Sequence, residues 1–196
     1  MKHRLALSLC FLIWGASILQ AQAVAQPTDS QNNAELTEMY NLDQKDRSEA
    51  VPDLMKRDDT RQVHLHQMLA DGKVVSAADY YHAAMIFQHG QSPDDYLLAH
   101  TLAVIAIGKG RHDALWLAAA TMDRFLQSSG KPQIFGTQFV GQNGKPGIEE
   151  APIHADLLSD SIRNAHCVVT LAQQKQIVDT VNRGGAFGSS SIHPCP

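Results

Sequence analysis

Between residues 76 and 130 the chain carries helix starts and stops so closely spaced that only short-turned antiparallel helices fit them. Ser76-Ala77-Ala78-Asp79 and Ser92-Pro93-Asp94-Asp95 each set a serine at a helix entry with an acid three positions on. The second adds proline at the first helical position and two acids at the positive end of the helix dipole. Gly90, Gly108 with Gly110, and Gly130 mark the exits. Tyr80, Tyr81, Ala84 and Phe87 form a helical stripe, and the stretch Leu97 to Ile107 is apolar on nearly every face, which predicts a central buried helix. A third helix from His112-Asp113 is expected to turn Leu115, Trp116, Ala119, Met122 and Leu126 inward. The fold class is therefore mostly α, an α-helical hairpin stack or bundle.

The flanks extend it. Helical spacing predicts helices over Ala34 to about Ala50 and Leu54 to Ala70, the polar run KRDDTRQ of the latter facing water. Residues 132–152 change texture: Pro132 to Val140 alternates and is β-prone, Asn143-Gly144 suits a tight turn, and a short β-hairpin-like insertion follows. Helical spacing returns from His154 to about Asn182, before a glycine- and serine-rich flexible tail over 184–196.

Residues 1–25 read as a cleavable signal peptide: Lys2 and Arg4, an apolar run from Leu5 to Leu19, then Ala23-Val24-Ala25. The run is shorter than the ~20 residues a membrane span needs. The expected destination is the periplasm or the exterior, with 26–33 a disordered leader, 34–183 a single helical domain and no membrane span after cleavage. Cleavage removes Cys10, leaving Cys167 and Cys195, readable in an oxidising compartment as a disulfide or as two unrelated thiols. With 16 basic against 20 acidic residues, a net charge of −4 and no basic cluster, nucleic acid is disfavoured as a partner.

At Gly130-Lys131-Pro132-Gln133-Ile134-Phe135-Gly136-Thr137-Gln138 the chain resembles a bacterial domain family of unknown function whose hallmark is a G-x-P-Q-x-[YF]-G-T-Q segment. In that family the segment follows a helix bearing an Asp-Arg pair, here Asp123-Arg124, and an earlier helix ends in Gln-His, here Gln88-His89. Asp43-Gln44-Lys45-Asp46-Arg47 approximates a further Asp-Gln-x-x-Arg element, so the similarity spans roughly Glu35 to Gln174. Phe135 stands where the resemblance would set a tyrosine. The family implies a fold and candidate positions, and no activity or cofactor.

The candidate chemistry is sparse. Nine histidines follow residue 25, yet none is spaced for a metal: His64 and His66 fall on different helix faces, and His82 and His89 sit too far apart for one ion. His89 is either a helix C-terminal cap or a general base. Asp123, among apolar neighbours, needs a partner, which the backbone of residues 133–138 could supply. Gln133, Thr137 and Gln138 are candidate ligand-binding groups, able equally to satisfy the loop itself, and Arg124 is a further ligand-binding candidate. His100, in the apolar helix, reads as a hydrogen-bonded core histidine. The expected function is a binding or interaction module with a groove beside the Gln133–Gln138 loop, its partner a small molecule, a peptide or an envelope protein. The alternative is a hydrolase or transferase using His89 and Asp123 as acid and base and Gln138 as an orienting group.

Overall fold

A computed structural model describes residues 32–142 and 146–185. The expected signal peptide, Cys195, most of the tail and the Asn143-Gly144 turn lie outside them. The order is α1 (Ala34–Ser48), α2 (Leu54–Ala70), α3 (Ala77–Phe87), α4 (Pro93–Gly108), α5 (Ala114–Ser128), β1 (Phe139–Gly141), β2 (Ile148–Glu150), α6 (Asp160–Ala165) and α7 (Leu171–Asn182). The chain is mostly α, as its helix signals predict, with one antiparallel pair in which Phe139 faces Glu150 and Gly141 faces Ile148.

Ser76 and Asp79 close a reciprocal capping box, as do Ser92 and Asp95. Asp79 does more: its other oxygen accepts the Asn33 N–H at 2.7 Å. Asn33, at the end of the expected leader, in turn caps α1 by accepting the Leu36 N–H. One aspartate thus ties the starts of α1 and α3 together.

The buried centre is α3 rather than α4. Ala78, Ala83, Ala84, Ile86 and Phe87 are all buried, and α3 packs against α1, α2, α4 and α5. In α4 only Ala99, Leu102, Ala103 and Ala106 are buried, whereas Leu97 and Val104 are 40% and 49% exposed. The difference comes from size. Alanines at positions 99, 103 and 106 let α4 approach α5 closely, so the small face goes inward and larger apolar groups remain outside. The same seam turns α5: Ala114, Leu117, Ala118, Ala119 and Ala120 are buried, and Trp116 and Met122 pack only partly buried on a second cluster formed by Ala119, Phe135 and Val168. His100 is half-buried and bonds the Ala118 carbonyl at 2.9 Å.

The expected continuous helix after His154 is two helices. Residues 154–159 form turns, and Cys167, with φ 58°, breaks the path between α6 and α7 before Thr170 caps the latter. Cys167 is 3% exposed and is engaged rather than free.

Candidate functional site

The 130–138 segment folds around Asp123. Asp123 is fully buried on α5, where its Oδ1 accepts the N–H groups of Ile134 and Phe135 at 2.9 and 3.0 Å. Its Oδ2 accepts those of Gly136 and Thr137, both at 2.9 Å, and the Thr137 hydroxyl at 2.8 Å. Four consecutive amides converging on one anion require the left-handed turn that Gly136 supplies at φ +88°.

Gln133, also fully buried, braces the same loop, donating to the carbonyls of Gln138 and Ala151 and accepting the Gln138 N–H, each at 3.0 Å. From α7, Gln174 donates to the Phe135 carbonyl at 2.9 Å. From α6, Arg163, 1% exposed, donates to the carbonyls of Ile134 and Ala155. The polar groups of Gln133 and Thr137 are therefore spent on the loop. Gln138 is half-buried and its amide donates to the Thr137 hydroxyl at 2.9 Å.

His89 is elsewhere. It lies just beyond α3, with Nδ1 3.1 Å from the Asp43 Oδ2 of α1, a close contact off the hydrogen-bond line. Asp43 is fully buried and also holds Gln44 and Arg47, both at 2.8 Å. Among the described residues no hydrogen bond or ion pair joins His89 to Asp123 or to residues 133–138.

Around Asp43 stands a charge lattice between α1 and α2. Arg47 bridges Asp43 and Asp58, the latter at 2.9 Å. Arg61 reaches Asp58 at 3.0 Å and is hydrogen-bonded to Asp46, which also meets Arg57 at 3.2 Å. Lys56, Arg57, Asp59 and Thr60 of the KRDDTRQ run face water as expected, but Asp58 and Gln62 turn inward. Asp58 can do so because Arg47 of α1 and Arg61 of α2 supply opposite charge, removing the cost of burying an unpaired ion. Sequence reading missed Asp58 and Arg61. The signal was present in the complementary pairs Asp43/Arg47 and Asp58/Arg61 at helical spacing on consecutive helices.

Arg124, on α5, feels the charge of Arg47. Burial lowers its pKa and the Arg47 charge lowers it further, with the Tyr96 phenol acting in the other direction. Tyr96 donates to the Gly90 carbonyl at 2.7 Å, beside His89. The Arg124 Nε is buried with no acceptor. Next to the lattice an open cavity of about 360 Å³ is lined by Glu35, Glu38, Met39, Leu42, Thr60, Arg61 and His64. Arg61 thus belongs to both cavity and lattice. Among the described residues no cluster of three histidine, cysteine or acidic side chains has a metal-binding arrangement. No helix there is long and apolar enough to cross a membrane.

No family model, no curated protein and no solved structure matches the chain.

Proposed function

We propose that this is an exported helical binding module whose ligand, a small molecule or a peptide, meets the polar cluster of Asp43, Arg47, His89 and Arg124. The carrying observation is the Arg124 guanidinium, whose Nε is buried without an acceptor beside a second arginine. A folded chain gains little from such burial unless a further group completes it. The cavity that shares Arg61 supplies an adjoining apolar surface in Met39 and Leu42. The loop at 133–138 serves in this reading as the support that fixes α5, and hence Arg124. It is also notable that the cluster gathers positions carried by the resemblance to the uncharacterised bacterial family, from its Asp-Gln-x-x-Arg, Gln-His and Asp-Arg elements.

The 3.1 Å contact between His89 and Asp43 favours a second reading, a hydrolase or transferase. A carboxylate beside an imidazole can fix where the ring sits, so His89 would move the proton and Asp43 would hold the ring in place.

Binding of an untargeted metabolite and peptide library to the purified protein, with His89→Ala and Arg124→Gln in parallel, tests both. A ligand weakened by both variants supports the module. A ligand held equally by all three proteins, or no ligand of any class, overturns the site. Turnover of the captured ligand that His89→Ala abolishes would favour the enzyme.

A further inference from the structure

We infer that the cluster is a receptor for an anionic group, a carboxylate or a phosphate on the ligand, gripped by Arg124 near Arg47 and His89, which rests on the binding reading above and adds the ligand's charge.

The other guanidiniums of the cluster are committed. Arg47 pairs with Asp43 and Asp58, Arg61 with Asp58 and Asp46, and Arg57 with Asp46. Arg124 forms no ion pair among the described residues, and its buried Nε has no acceptor. Its charged neighbour is Arg47, which repels it, and the nearby Tyr96 is a phenol already donating to Gly90. The neighbouring carboxylates are occupied: Asp43 by Gln44, Arg47 and His89, Asp58 by Arg47 and Arg61, and the exposed Asp59 by Gln91 at 3.5 Å. None is left to balance Arg124. A guanidinium presents a planar fork of donors that matches two oxygens of a carboxylate or phosphate at once. His89, 16% exposed in its side chain, precedes Gly90, whose carbonyl Tyr96 holds.

The test is titration of the purified protein with sodium phosphate and, separately, sodium acetate, each against sodium chloride at equal ionic strength. Binding is followed by calorimetry and by the Arg124 Nε–Hε resonance. The expected result is a saturable shift of that resonance with one or both anions, the stronger one naming the source, and at least a tenfold loss of affinity in Arg124→Gln. Arg124→Lys keeps the charge without the fork and is expected to fall between. If Arg124→Gln does not fold, the resonance in the unaltered protein still decides. An unmoved resonance with both anions, or unchanged affinity in folded Arg124→Gln, overturns the inference. A neutral ligand captured at His89 and indifferent to Arg124→Gln would overturn it too, yet leave the binding reading standing.

Discussion

Thr137 donates twice to one oxygen of Asp123, through its amide at 2.9 Å and its hydroxyl at 2.8 Å. With the amides of residues 134 to 136 this makes a ring of donors of the kind that captures external anions. Here the anion is the protein's own, and the loop is locked to α5.

Replacing Asp123 by Asn keeps the shape but turns a donor toward N–H groups that need an acceptor. Hydrogen bonds to a charged group contribute roughly 1.5–3 kcal/mol each and are not additive, so a loss of about 3 kcal/mol or more is expected. Urea unfolding measures it, and a change below about 1 kcal/mol would contradict the lock.

Gly136→Ala should fail for two reasons. Its φ of +88° is costly for any side chain, and a Cβ there would lie 1.9 Å from the Gln174 Oε1. Since Gln174 is fully buried, it has little room to retreat. A destabilisation exceeding about 2 kcal/mol is expected, with amide exchange rising over residues 133–138. Unchanged exchange there would refute the packing described.

The α1–α2 lattice should make the protein sensitive to acid. Burial pushes the Asp46 carboxyl up, but hydrogen bonds and charge from Arg61 and then Arg57 outweigh it and hold the group below its ordinary 3.8. Below that value the unfolded chain takes up a proton that the native chain refuses. The contribution is therefore present above about pH 4 and is lost as pH falls through the lower native value. Tm should drop more shallowly below pH 4 in Asp46→Asn than in the unaltered protein. Parallel acid limbs would speak against it.

A second titration has its own window. His82 stacks on Tyr40 with ring centres 4.3 Å apart, and burial, reinforced by Arg111, drives its pKa below 6.5 despite the opposing charges of Asp79 and Asp113. The unfolded histidine protonates first as pH falls, so stability declines from about pH 6.5 down through the native value. An NMR midpoint for His82 at or above 6.5 would overturn this, whereas a lower one, with a flatter profile in His82→Gln, is expected.

A disulfide between Cys167 and Cys195, one of the two readings of that cysteine pair, would close a loop of about 28 residues and contribute roughly 3–4 kcal/mol on the chain-entropy model. Non-reducing mass analysis of exported protein should show both thiols oxidised, and reduction should lower Tm. Free thiols at both positions would dispose of the pairing.

How far these features were legible follows from what signals them. Caps are local: Ser76/Asp79 and Ser92/Asp95 announce α3 and α4 because donor and acceptor lie three residues apart. Asp123 on an apolar helix announces a tie to the following loop because a buried carboxylate must be satisfied. The inward turn of Asp58 was not readable from α2 alone, since polar residues point inward only when a partner helix neutralises them. His89 likewise reveals its partner only through the α1–α3 packing that brings Asp43 beneath it. The break at Cys167 escapes periodicity, because α6 and α7 share helical spacing on either side of one left-handed residue.

The centre of the C-terminal third is built less from oil than from wiring: Asp123, Gln133, Arg163 and Gln174 are each buried to within 1%. An apolar interior tolerates swaps of similar volume, because its cohesion has no direction. This one is addressed atom to atom, so no shift of register or change of length can be absorbed by repacking. Sequence drift should accumulate around these four positions and stop at them, and grafting the loop elsewhere would require moving the whole circuit.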